Sequence, residues 1–162
     1  MSLDSDINLL SKVRMFEDFG PEHLRLLAFG AEAKHYAAQQ KLYRQGVYSD
    51  GGYVIVRGAV NLYSGEDDKI ISTHGPAALI GEMALMSGID HAASAIAVEP
   101  TDVMKIPRPL FRRMLEEYPE LAVLLQQRIS KSVNSFVGEL AAIADKLDQA
   151  NARFDNPEKA DG

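Results

Sequence analysis

The sequence predicts a mainly β fold with flanking α segments: a jelly-roll-like β-roll, preceded by N-terminal helices and followed by a long C-terminal helix. Three observations lead there. Between Ala31 and Pro107, short β-rich runs alternate with glycine and proline turn signals, the texture of a closed or double-sheet β architecture. On both sides of that stretch, apolar residues recur at helical spacing instead. Inside it, Gly81-Glu82-Met83-Ala84-Leu85-Met86 interrupts the strands with good helix formers and stops at Ser87-Gly88.

Residues 1–30 form the N-terminal helical segment, with Ile7, Leu9, Leu10, Val13 and Phe16 at helix-like intervals. Pro21 then opens a second short helix carrying Leu24, Leu27 and Ala28. In the roll, residues 31–107, the expected strands are Lys41–Tyr43, Gly52–Arg57, Ala59–Tyr63, Lys69–Thr73, Ala92–Val98 and Thr101–Ile106. Their breaks are Gly46, Gly58, the Ser64–Asp68 turn, Gly75-Pro76 and Glu99-Pro100. Residues 108–150 return to helix. Pro109 begins a short segment with Leu110, Phe111, Met114 and Leu115, which stops near Tyr118-Pro119. A longer helix follows, roughly 45 Å at 1.5 Å per residue. Along it Val133, Phe136, Leu140, Ile143 and Leu147 alternate at three- and four-residue steps, a seam repeat. That stripe either packs on the chain's own roll or pairs with a partner helix; so late in the helix, a homodimer is the expectation. Residues 151–162 are a polar tail.

Composition narrows the function. The 162 residues carry 46% hydrophobic and 25% charged side chains, ordinary for one globular domain. No run approaches the roughly 20 apolar residues of a membrane span, and Met1–Asp6 lacks the basic and apolar regions of a secretory signal. There is no cysteine, hence no disulfide, thiolate metal site or cysteine nucleophile, which suits a reducing cytoplasm. The net charge is −6 without a basic stripe, a poor basis for neutralising nucleic-acid phosphates. Arg108, Arg112 and Arg113 are the densest positive group and are expected on one solvated helix face. His23, His35, His74 and His91 are scattered, with no His-x-His pair to begin a metal shell. No nucleophile-elbow or P-loop pattern occurs. The expectation is a module that is not an enzyme and has no metal or cofactor.

Two stretches carry a resemblance. The first runs Leu42-Tyr43-Arg44-Gln45-Gly46-Val47-Tyr48-Ser49-Asp50 and on through Gly52–Tyr63; the second is Ile80-Gly81-Glu82-Met83-Ala84-Leu85 followed by His91-Ala92-Ala93-Ser94-Ala95. Together they resemble the cyclic-nucleotide-binding domain family, which includes catabolite-activator-type regulators and the regulatory subunits of cyclic-nucleotide-dependent kinases. The resemblance covers about Leu9 to Leu147 and implies a double-stranded β-helix, the family's β-roll. It makes the second stretch look like the family's phosphate-binding cassette. The implied ligand is cAMP, cGMP or a related anionic nucleotide, signalling through the helices after Pro107. The regulators carry a helix-turn-helix after the long helix; only about a dozen polar residues follow here, so no DNA reading is expected of this chain.

The cassette can also be read from its chemistry. A phosphodiester is well placed at a helix start, where backbone N–H groups and the helix dipole meet. Gly81 permits close approach, Met83 and Ala84 offer N–H groups, and Glu82 can accept from a ribose hydroxyl, as the resemblance implies, or merely complement the dipole. The family places an arginine nine residues after that glutamate; here the position is His91, with Asp90 where proline is common. Histidine offers fewer donors than an arginine fork and is mostly neutral at pH 7. Losing one charge-assisted contact costs about 1.5–3 kcal/mol, roughly one to two decades in affinity. Ala92 and Ala93 match the motif's small residues, and Ser94 either touches the ligand or is a plain strand serine. Two functions follow: a weakly binding nucleotide sensor, or a ligand-free interaction and dimerisation domain.

Overall fold

The computed structural model describes residues 2–64, 69–86 and 90–127. The remainder of the Ser64–Asp68 turn, the Ser87-Gly88 helix stop, the Val133–Leu147 seam and the tail lie outside the described residues. Two compact units divide at Ala122, and the roll belongs to the first, Met1–Ala122.

The elements are α1 (Leu3–Ser11), a 3₁₀ turn (Arg14–Phe16), α2 (Pro21–Gly30), β1 (Glu32–Tyr36), β2 (Lys41–Tyr43), β3 (Gly51–Arg57) and β4 (Val60–Tyr63). Then come β5 (Ile70–His74), β6 (Leu79–Ile80), α3 (Glu82–Met86), β7 (Ser94–Ala97), β8 (Thr101–Pro107) and α4 (Arg108–Glu117). Residues 119–127 are helical. The strands form two four-stranded sheets, β1-β8-β3-β6 and β2-β7-β4-β5, with every pairing antiparallel. This is the roll that the turn-punctuated strands predict.

Alternation along the strands builds the core between the sheets. Tyr53 and Ile55 of β3, Ile80 of β6 and Val103 of β8 meet Leu42 of β2, Val60 of β4, and Ala95 and Ala97 of β7. Two strands escape the sequence pattern. β1 is an edge strand whose first four residues are all exposed, so it shows no alternation, and β6 has only two residues.

The helices make a second apolar layer. Ser2 caps α1 by accepting from the N–H of Ser5, and the helical spacing of Ile7–Phe16 is broken when α1 stops and Phe16 enters by the 3₁₀ turn. Phe16 lies 5.2 Å from Phe19 and 6.1 Å from Phe111 of α4, ring centre to ring centre. His23 serves the helix start: its Nδ1 accepts the N–H of Gly20 at 3.0 Å and its ring meets Tyr118 edge-on. Gly30 lies against Leu110: a Cβ there would sit 2.6 Å from a methyl of that side chain, which would have to turn aside. Arg112 and Arg113 are exposed as expected. Arg108 is half-buried and donates to the hydroxyl of Tyr48 at 2.6 Å, an exposed bond.

Candidate ligand-binding site

The turn from β6 into α3 places the cassette. β6 ends with Ile80 opposite Tyr53, and the chain turns into α3 at Gly81, whose φ of +71° is in the left-handed region. A Cβ at Gly81 would meet the carbonyl of Gly51 at 3.5 Å and Cε1 of His91 at 3.6 Å, ordinary contact distances. Conformation, rather than space, therefore calls for glycine. Ala84 and Leu85 are buried and hold α3 down, with Leu85 lying where any side chain on Gly52 would go.

Glu82 and Met83 are exposed at the start of α3. The N–H of Ala84 is already committed to the carbonyl of Gly81 at 3.0 Å. Because α3 has only five residues, its dipole adds little, and the backbone geometry at Gly81 matters more.

His91 lies over this turn with 9% of its surface exposed. Its ring stacks on Tyr43 of β2, 3.5 Å between centres and 11° from parallel. Its backbone is fixed to the loop after β2: the N–H of His91 donates to Val47 at 3.0 Å, and the N–H of Gly46 donates to His91 at 2.9 Å. The imidazole is thus held between Tyr43 and the bare backbone of Gly81. Ala92 is exposed and Ala93 half-buried. Ser94 begins β7 opposite Tyr63, and its hydroxyl accepts the N–H of Gln45 at 2.9 Å.

A cavity of about 430 Å³ opens beside the stack. Its walls are β2, the following loop and β3, including Tyr43, Arg44, Tyr48, Asp50 and Tyr53, and it shares His91 with the cassette. Burial, helped by neighbouring Tyr53, pushes the Tyr43 phenol up to about 12, so it remains a neutral donor. Burial also lowers the proton affinity of His91 below the ordinary 6.5, against the opposing pull of the Asp50 and Asp90 carboxylates. Asp50 is held as a carboxylate by its bond to Lys105 at 3.0 Å.

Sequence reasoning assigned no role to Tyr43, which lies 48 residues before His91 and meets it only because β2 pairs with β7. Its aromatic character in a polar-flanked strand was the one available signal. Among the described residues no group of three or more His, Cys, Asp or Glu could hold a metal ion, and no helix is long and apolar enough to cross a membrane.

Residues 33–118 match the cyclic nucleotide-binding domain family, more than half of the chain. This chain belongs to that family. Among solved structures, a cyclic nucleotide-binding-like protein from Brucella abortus is 43% identical, with a TM-score of 0.63, covering 70% of this chain and 99% of that one. The Cyclic AMP receptor protein of Thermus thermophilus is 26% identical over 125 residues, covering 73% of this chain and 58% of that protein. Lysophospholipase nte1 of Aspergillus oryzae is 27% identical over 134 residues, 81% of this chain but only 9% of that protein. The cyclic nucleotide-binding domain here thus spans a small part of the nte1 relatives.

Proposed function

We propose that this cyclic nucleotide-binding domain is a non-enzymatic cytoplasmic sensor, taking cAMP, cGMP or a related anionic nucleotide at Gly81, Glu82, Met83, Ala84, His91, Ala92, Ala93 and Ser94. Binding is weak, and the signal leaves through the helices after Pro107, with a homodimer formed by the C-terminal seam. The observation that carries this reading is the Gly81 turn itself. It is formed, left-handed and bare of side chain, with an exposed carboxylate next to it and an imidazole over it.

The ligand must first part His91 from Tyr43, an aromatic contact worth about 0.5–1.5 kcal/mol. It then gains a contact weaker than an arginine fork would give. Proton linkage gives the sign of the pH effect. The stacked state holds the neutral ring, so the structure with His91 in place is favoured above the ordinary histidine range and loses that advantage as pH falls below 6.5. A released, protonated His91 also faces a phosphate more favourably. Both effects act in the same direction, and the ligand should bind more tightly at pH 6 than at pH 8.

Titration calorimetry with cAMP and with cGMP at the two pH values tests this. Measurable heat, stronger at pH 6, is the expected result. No heat at millimolar nucleotide at either pH overturns it. That outcome would leave the ligand-free interaction domain, the reading favoured by one observation: His91 already occupies the space over Gly81.

A further inference from the structure

A second cavity, of about 380 Å³, opens between α1, the end of α2 and the strands β1, β3 and β8. It shares no lining residue with the cavity beside His91. Its volume is at the lower end of the roughly 300–1,000 Å³ of small-molecule sites. Ala28, Ala33 and Met104 give it apolar walls, and Asp6 of α1, His35 of β1, Arg57 of β3 and Asp102 of β8 reach the same space. Lys34 lines it too, but it is the neighbour of His35 on β1, so its side chain leaves the strand on the other face, where its charge acts on Asp50.

Three of these groups form a row across the sheet, because the strand register puts His35 and Arg57 on either side of Asp102. One Asp102 oxygen accepts from Nδ1 of His35 at 2.6 Å, and the other lies 3.5 Å from Nε of Arg57. The His35 bond holds the Asp102 carboxyl below the usual carboxylate range, so Asp102 only accepts and Nδ1 carries the proton. Both Asp102 oxygens are thereby engaged. The terminal nitrogens of Arg57 and the carboxylate of Asp6 have no bond or ion pair among the described residues. The cavity thus offers one cation and one anion to a newcomer, with apolar surface alongside.

We propose that this cavity is a second ligand site, for a small zwitterion of the amino-acid kind: its carboxylate meets the Arg57 guanidinium, its ammonium meets Asp6, and its methylenes lie on Ala33 and Met104. A simple anion would gain Arg57 but face Asp6. A simple cation would gain Asp6 but face Arg57. Only a molecule carrying both charges answers both groups. The Arg57 side chain is 71% exposed, so its contact alone is modest. Affinity comes from holding both ends at once, since the first contact presents the second to its partner at high effective concentration. The site is independent of the cassette, and a failure of cAMP to bind there would leave it standing.

Amide NMR spectra of the full chain, titrated with ε-aminocaproate, caproate and hexylammonium, test this. The three share a methylene chain and differ in which charges they carry. ε-Aminocaproate should shift the amides of Ala33, Arg57 and Met104 and saturate in the millimolar range, at least fivefold more tightly than either singly charged compound. The amides of Gly81 and His91 should not move. Arg57→Gln and Asp6→Asn should each bring ε-aminocaproate down to the level of the other two, and Arg57→Lys should keep part of the preference. Should Arg57→Gln disturb the sheet, Asp6→Asn carries the same test from α1. No saturable shift at tens of millimolar, equal affinity for all three compounds, or an Asp6→Asn variant that binds like the parent overturns the proposal. So do shifts confined to Gly81 and His91, which would put the zwitterion in the cassette instead.

Discussion

His91 answers to two partners that want different things from it. Tyr43 wants a flat, neutral ring at stacking distance, and burial supplies one by holding the imidazole deprotonated. A phosphate over Gly81 wants a positive, many-donor group. Histidine can serve either partner but not both together, because stacking keeps the neutral ring and a phosphate favours the protonated one. Replacing it separates the two roles. His91→Arg should strengthen cAMP binding at least several-fold by calorimetry at pH 8, through a bidentate charge-assisted contact worth about 1.5–3 kcal/mol. Unchanged or weaker binding would mean that the pocket is deficient beyond this one residue. Nothing local in the sequence shows the Tyr43 contact. The spacing of His91 from Glu82 is readable along the chain, whereas a ring from another strand arrives only with the tertiary fold.

At the scale of elements, the turns were the legible part. Gly46 and Gly58 have φ of +81° and +101°, so they mark in sequence where the roll reverses. Gly58 is also constrained by space. A Cβ there would run into Oγ1 of Thr101 and lie 2.7 Å from the carbonyl of Pro100, between strands that cannot part. Thr101 cannot retreat easily, since its hydroxyl donates its one hydrogen to the carbonyl of Glu99 at 2.7 Å and accepts from the N–H of Ala59 at 3.3 Å. Gly58→Ala should therefore lower the unfolding free energy by about 2–4 kcal/mol. It should appear as a shift of the urea midpoint at unchanged m-value; a midpoint within error of the parent would contradict the account. Strands without turn markers or alternation were not legible. β1, written Glu-Ala-Lys-His-Tyr, is a strand because β8 offers it five backbone partners, not because its side chains ask for one. β6 is too short to carry a pattern.

At the scale of the whole molecule, two apolar layers share the sheet β1-β8-β3-β6. One face looks into the roll; α3 packs on β3, with Leu85 against Gly52, and α4 packs on β8, so the cassette helix and α4 rest on the same sheet. The assembly beyond the monomer is argued from the sequence. The proposed homodimer uses the stripe Val133, Phe136, Leu140, Ile143 and Leu147, whose three- and four-residue steps suit either a partner helix or the chain's own roll. Light scattering should give a dimer mass for the parent and a monomer mass for the Phe136→Glu, Leu140→Glu double substitution. A parent that is already monomeric, or a double variant of unchanged mass, would remove the seam from the account.

One consequence of the exposed first strand concerns concentrated solutions. Among the described residues its outer rim has no neighbouring strand in the sheet, the usual template on which extended chains accrete into fibres. Glu32, Lys34 and His35 line that rim with solvated, mixed-sign side chains, and His35 is further engaged with Asp102 at 2.6 Å. An arriving strand would have to strip water from those groups before it gained a single ladder bond. The weak β character of this segment, which hid it from pattern reading, is thus also what keeps neighbouring molecules apart.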